Sequence, residues 1–295
     1  MLMKINPIAI KLGSVEIRWY AICILTGAFL AYLFSKIIFK KSGYGGEIAD
    51  DIVLVALPAG ILGARIWWCI SDSGSPWHNG DFWGFLTKFT DGGLAIQGGV
   101  ILGAAAGIAV VLIKYKNVPI RAAMDAVIPN ILIGQALGRW GNFCNQEVYG
   151  APVTADKLWF LPKFILNQME GDLVNGVNVG EYKDLGASIL YEKGLYAQPL
   201  FLYESLLNLL GLVLITVVLR KFWKKRIDGD LSALYLIWYG AVRFFLEPLR
   251  SQEFIMSGFG KMPVSQFTSL LFIIGGILFM VALRVMPKLF KKEAK

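Results

Sequence analysis

Residues 199–219 read Pro199-Leu200-Phe201-Leu202-Tyr203-Glu204-Ser205-Leu206-Leu207-Asn208-Leu209-Leu210-Gly211-Leu212-Val213-Leu214-Ile215-Thr216-Val217-Val218-Leu219. Apart from Glu204 the stretch carries no charge, and it is long enough to cross a bilayer, which takes roughly 20 mainly apolar residues in a helix. Six further segments share this character: 19–35, 51–70, 94–113, 123–140, 231–249 and 264–284. Two are interrupted, the second span by Pro58 with Gly60 and Gly63 and the fourth by Pro129 with Gly134. The expected fold is an all-α polytopic membrane protein of about seven transmembrane helices.

Composition supports this reading. Of 295 residues, 56% are hydrophobic and 17% charged, with mean hydropathy +0.58, against about 25% charged in an average soluble domain. The apolar content excludes disorder. Three cysteines make no disulfide framework, and the single histidine, His78, leaves a His/Cys metal centre without ligands.

The net charge of +8 is organised by position. Lys36, Lys40 and Lys41 follow span one; Lys114, Lys116 and Arg121 follow span three; Arg220, Lys221, Lys224, Lys225 and Arg226 follow span five. The tail holds Arg284, Lys288, Lys291, Lys292 and Lys295. With seven spans these regions share one side, and short cationic connectors mark the cytoplasm. The N-terminus is therefore expected outside and the C-terminus inside. The same rim favours anionic lipid headgroups, and no nucleic-acid partner is expected. Residues 1–16 lack the pattern of a removable leader. Residues 71–92 read as an exterior arm and 141–198 as a small exterior head insertion, both within one integral membrane domain, 1–295.

Ionisable residues within a span cost about 2.5–3.5 kcal/mol each, so the few present need a reason. They are Arg65, Arg139, Glu204, Arg243 and Glu247, with Asp125 read at the solvated edge of span four. Tyr239, Arg243 and Glu247 are four apart and stack on one helix face, with Arg250 a turn further on. They form either a self-neutralising pair or a cation offered to an anionic headgroup.

The run Gly138-Arg139-Trp140-Gly141-Asn142-Phe143-Cys144-Asn145-Gln146-Glu147-Val148-Tyr149-Gly150 sets an arginine between glycines at a boundary. It combines a bidentate phosphate donor with amides suited to polyol hydroxyls. A third cluster, Asp91-Gly92-Gly93-Leu94-Ala95-Ile96-Gln97-Gly98-Gly99, permits close approach of helices or lipid. All three fall on the exterior side or in the outer half of the membrane, and this convergence points to one site.

The arginine-to-glycine run resembles the signature of prolipoprotein diacylglyceryl transferases. The resemblance extends through Arg18-Trp19-Tyr20, Gly63-Ala64-Arg65, the block Gln198-Pro199-Leu200-Phe201-Leu202-Tyr203-Glu204, and Tyr239-Gly240-Ala241-Val242-Arg243-Phe244-Phe245-Leu246-Glu247. It implies transfer of a diacylglyceryl group from phosphatidylglycerol to the lipobox cysteine of a preprolipoprotein, forming a thioether and releasing glycerol phosphate. That chemistry needs no cofactor, metal or enzyme thiol, and Cys23 and Cys69 read as small buried apolar residues. The resemblance also implies a multi-pass protein of the bacterial plasma membrane with its site toward the exterior.

Carried over position by position, Arg139 and Arg243 would hold the phosphate and stabilise the departing oxyanion. Asn142, Asn145 and Glu147 would orient the headgroup, Gly150 would shape the loop, and Glu247 would support Arg243. Tyr20 and Tyr239 would donate hydrogen bonds near the reacting carbon. Gly98 and Gly99 join the binding set. Tyr203 and Glu204 match a family block, with Glu204 open to either chemistry or packing between spans.

The chain departs from the family at two histidines, replaced by Gln97 and Gln198. A histidine base at position 97 cannot operate, because glutamine does not titrate near neutral pH. Two routes to the thiolate stay open. The arginines lower the substrate thiol's pKa, the preferred reading with Gln97 as an orienting group, or a carboxylate such as Glu147 or Asp91 takes the proton. A catalytically impaired relative that binds lipid or signal peptide and an anionic-lipid or solute transporter are the competing expectations.

Overall fold

The computed structural model describes residues 4–13, 15–72, 93–171, 191–192, 194–256 and 262–293. The exterior arm beyond Asp72, with His78 and Asp91, falls outside the described residues, as do residues 172–190 of the head insertion. Among the described residues, six helical stretches are long and apolar enough to cross a membrane: Trp19–Lys41, Glu47–Ser71, Ile96–Lys114, Ile120–Asn145, Leu200–Phe222 and Val264–Val285. Large apolar side chains lie on their outer surfaces, with Leu54 72% and Ile113 74% exposed. In water such exposure forfeits about 1.5–3 kcal/mol per side chain; against lipid it costs nothing. The chain is a multi-pass membrane protein.

The remaining expected span, 231–249, is a 17-residue helix, Asp230–Leu246, followed by a 3-10 turn, Glu247–Leu249. At about 1.5 Å per residue it is shorter than a hydrocarbon core of about 30 Å. Pro248 restricts the residue before it and lacks an N–H, so the α-helix stops there.

The helices are named here α1 (Trp19–Lys41), α2 (Glu47–Ser71), α3 (Ile96–Lys114), α4 (Ile120–Val127), α5 (Ile131–Asn145), α6 (Lys163–Met169), α7 (Leu200–Val213), α8 (Asp230–Leu246) and α9 (Val264–Glu293). The fourth span is α4 and α5 joined through a 3-10 turn, Ile128–Asn130, where Pro129 breaks the hydrogen-bond ladder. Helix α7 continues as a π turn, Leu214–Leu219.

The chain divides into two compact units, 1–31 with 127–295, and 32–126. In the second unit, α2 and α3 cross at glycines. A Cβ on Gly98 would lie 2.1 Å from the Gly63 carbonyl oxygen, so only glycine permits this approach. Asp125 is 2% exposed and lies among buried Ala123 and Ala126. It is therefore an interior residue, and the solvated edge expected for it is corrected.

In the first unit, an antiparallel hairpin, β1 (Ile8–Leu12) with β2 (Val15–Arg18), precedes α1. The head insertion folds onto the ends of two spans. Phe143 from α5 and Phe201 from α7 share a core with Leu158, Leu161, Ile165 and Met169. A two-residue ladder, β3 (Pro152–Val153) with β4 (Tyr196–Ala197), closes this insertion just before α7 begins.

Candidate active site

Helices α5, α7 and α8 of the first unit bring alternating charges into one row. Arg139 Nη2 donates to Glu204 Oε1 at 2.6 Å. The other oxygen, Glu204 Oε2, accepts from Arg243 Nη1 at 3.5 Å. Arg243 Nη2 lies 3.3 Å from Glu247 Oε2, and Arg250 Nε lies 3.4 Å from that same oxygen. The carboxylates are the sealed members, Glu204 at 3% and Glu247 at 1% exposure. The Arg139 and Arg243 side chains stay partly open, 19% and 13% exposed.

Three guanidiniums against two carboxylates leave one unit of positive charge on the row. Buried charges persist when paired in this way. At its end, burial and the charge of Arg243 push the Arg250 pKa down to about 10, while Glu247 holds it up. Arg250 thus remains a cation at neutral pH.

The signature loop extends the row. Arg139 Nη1 donates to Asn142 Oδ1 at 3.1 Å, and Asn145 Nδ2 donates to Glu147 Oε1 at 3.4 Å. Gln146 closes α5 in the left-handed conformation at φ 53°, and Val148 follows at φ 56°. Asn142 and Glu147 line a cleft with Phe143, Tyr149, Met169 and Phe201. Glu147 is exposed as a residue, yet partial desolvation of its carboxyl pushes it above the usual range, against the Asn145 hydrogen bond and the Arg18 charge.

That shift fixes the sign of a pH effect. The folded chain holds the Glu147 proton more tightly than the unfolded chain does. Its contribution to stability is therefore complete below the ordinary carboxylate pKa and is lost as pH rises through the raised value. Glu147→Gln should flatten the fall in Tm as pH rises above the ordinary carboxylate range, read by thermal melting in detergent.

Gly150 has a steric role. Its N–H donates to the Gln198 carbonyl at 3.1 Å, and it bridges Arg250 on the other side. A Cβ here would lie 2.5 Å from Gln198 Cβ and 2.9 Å from the Leu249 carbonyl oxygen. The glycine therefore lets the Glu247–Arg250 turn dock beside the signature. Gly150→Ala should cost about 1–3 kcal/mol, seen as a Tm several degrees lower, with transfer reduced about tenfold or more as Arg250 is displaced.

Tyr20 packs over Gly141, where a Cβ would lie 2.7 Å from the tyrosine ring. Tyr239, one turn before Arg243, stacks on Tyr235 at 6.0 Å between ring centroids. Cys69 is buried as expected, whereas Cys23 is half-buried.

The structure thus gathers Tyr20, Arg139, Asn142, Asn145, Glu147, Gly150, Tyr239, Arg243 and Glu247 into the first unit. Gln97, Gly98, Gly99 and Arg65 belong to the second. There Gln97 is exposed, while Gly98 and Gly99 face Gly63 and Gly60 across the helix crossing. Arg65 is 1% exposed, donates to the Gly93 carbonyl at 3.1 Å and lies over the Trp68 ring at 4.7 Å. Sequence reasoning missed the bridging role of Glu204. The signal was an acid inside an apolar span, which has to find a cation, but its partners lie on two other helices.

A family model described as prolipoprotein diacylglyceryl transferase matches residues 7–282. The chain belongs to that family. Among its relatives are proteins named phosphatidylglycerol--prolipoprotein diacylglyceryl transferase from Streptococcus pyogenes serotype M5 (strain Manfredo) and serotype M49 (strain NZ131). Each is 40% identical over 288 residues, covering 95% of this chain and 96% of the relative. Coverage is thus nearly complete on both sides.

Proposed function

We propose that this chain transfers the diacylglyceryl group of phosphatidylglycerol to the lipobox cysteine thiol of preprolipoproteins, the first step of lipoprotein maturation. The observation that carries the reading is the pair Arg139 and Arg243, held from two helices by one buried carboxylate with both arginine side chains partly exposed. The lipid phosphate would sit against those guanidiniums. The substrate sulfur attacks the glycerol carbon, the carbon–oxygen bond to phosphate breaks, and its electron pair leaves on glycerol phosphate. The thiol proton departs with the leaving phosphate or a nearby base. Preorganised cations aimed at a developing oxyanion are the largest common source of rate.

Asn142, Asn145 and Glu147 would orient the headgroup, with Tyr20 and Tyr239 donating hydrogen bonds beside it. Gln97 would orient the acceptor thiol, and Gly98 and Gly99 would serve binding through the helix crossing they permit. The membrane would be the bacterial plasma membrane, with the N-terminus and the site outside and the C-terminus in the cytoplasm, as the basic rim supports. Helix α8 would complete seven spans; its Phe245, 73% exposed, suits lipid. Residues 1–295 would then act as one integral membrane domain bearing the arm 71–92 and the head 141–198.

Purified protein, phosphatidylglycerol labelled in its diacylglycerol portion and a lipobox peptide, followed by mass spectrometry, test the proposal. A peptide gaining one diacylglyceryl unit supports it. Lipid binding without transfer would leave a binding protein, and the transferase reading would fall.

A further inference from the structure

One buried side chain of the head insertion has no part in the chemistry above and yet touches the signature helix. Gln168, in α6, is 1% exposed. Its Oε1 accepts from the Ile5 N–H at 2.7 Å. Its Nε2 lies 3.3 Å from two carbonyl oxygens, those of Phe143 and Cys144 in the last turn of α5. Its own backbone carbonyl accepts from Gln146 Nε2 at 2.7 Å.

A helix leaves its final carbonyls short of i+4 donors; the Phe143 carbonyl accepts the Gln146 N–H at 3.2 Å, and the Gln168 amide serves it and the Cys144 carbonyl as well. The chain beyond them is strained. Gln146 and Val148 both have positive φ, a genuine outlier for a β-branched side chain. Such conformations persist only where their surroundings impose them, and they cluster at functional sites. Asn142 and Glu147 stand on either side of the fastened turn, joined by the Glu147 N–H to the Asn142 carbonyl at 2.9 Å.

We propose that Gln168 is a positioning residue for the transfer reaction. Its amide locks the end of α5 and the strained turn at 146–148, so that Asn142 and Glu147 hold their direction toward the lipid headgroup. This rests on the function proposed above. Gln168 touches no substrate. It acts through the backbone that carries those two side chains, and it ties that backbone to the chain's first strand region through Ile5.

The test uses the full chain in nanodiscs containing phosphatidylglycerol, with Gln168→Leu and Gln168→Glu. Leucine removes the donor. Glutamate keeps an acceptor for the Ile5 N–H and, when protonated, restores a donor to the two carbonyls. Three readouts are taken: kcat and KM for a lipobox peptide, the pH profile, and the rate at which a maleimide modifies the native Cys144, with Cys23 as the internal reference.

Q168L should lower kcat at least tenfold at every pH, with peptide KM changed less than twofold and Cys144 modified several times faster. Q168E should regain activity as pH falls and its carboxyl takes a proton, a limb that neither wild type nor Q168L shows. Wild-type kcat in Q168L, or losses in Q168E that ignore pH, would overturn the proposal. If Q168L is not recovered folded, the Q168E pH limb decides alone. If wild type transfers nothing, the function proposed above fails separately, and unchanged Cys144 modification in both variants would overturn the lock as well.

Discussion

Glu204→Leu should abolish diacylglyceryl transfer, by about a thousandfold or more, and should also lower stability by about 3–5 kcal/mol. Both effects have one cause. The Glu204 carboxylate is 3% exposed and binds Arg139 with one oxygen and Arg243 with the other. Leucine fills the volume and leaves two largely buried cations facing each other, the costly way to break a buried ion pair. The guanidiniums would swing apart, and the phosphate would lose both of its donors, each worth about a hundredfold or more in stabilising a leaving oxyanion. Glu204→Gln keeps acceptor oxygen but loses charge, so it should fall between. Transfer assays and thermal melting in detergent check the pair. A Glu204→Leu protein with wild-type rate would remove the carboxylate from the mechanism.

Arg139→Ala should likewise bring transfer below detection, and Arg139→Lys should lose about a hundredfold. Lysine keeps the charge, so the difference isolates geometry. Arg139 uses Nη2 on Glu204 and Nη1 on Asn142, a fork that a single ammonium cannot reproduce. The loss in Arg139→Lys should therefore appear mainly in kcat, with KM for lipid little changed, because the cation still attracts phosphate but no longer sits in register with the breaking bond. Initial rates against phosphatidylglycerol concentration make that separation. A lysine variant with raised KM and normal kcat would make Arg139 a binding residue only.

The membrane character was legible because a bilayer imposes a length and a composition on each helix. The end of α8 was legible in part: Pro248 is expected to loosen the helix near the outer surface, and the backbone fixes the last α-helical residue at Leu246, ahead of Glu247. Within the site, Arg243 and Glu247 could be paired from their spacing alone, since four residues return to one face. Glu204 could not be placed in this way, because its partners come from α5 and α8 and no periodicity links separate helices. Gly150 was read as shaping a loop. Its reason, that a Cβ would come within 2.5 Å of Gln198 Cβ, depends on a segment that returns 48 residues later in the sequence. Local rules reach about one turn of helix, and the rest of the arrangement is tertiary.

The row of alternating charges also bears on how the catalytic cycle ends. Three bare arginines would grip a doubly charged phosphate monoester so firmly that the enzyme would be poisoned by its own by-product. Interleaving two carboxylates leaves a surplus of a single positive charge, enough to seat a singly charged phosphodiester. On the proposed reaction, a phosphate that departs without the thiol proton would carry a second negative charge, and Glu204 and Glu247 would then weaken the hold on it. The glutamates that hold the arginines in place would in that way ease release of the product, because the row carries a surplus of only one positive charge.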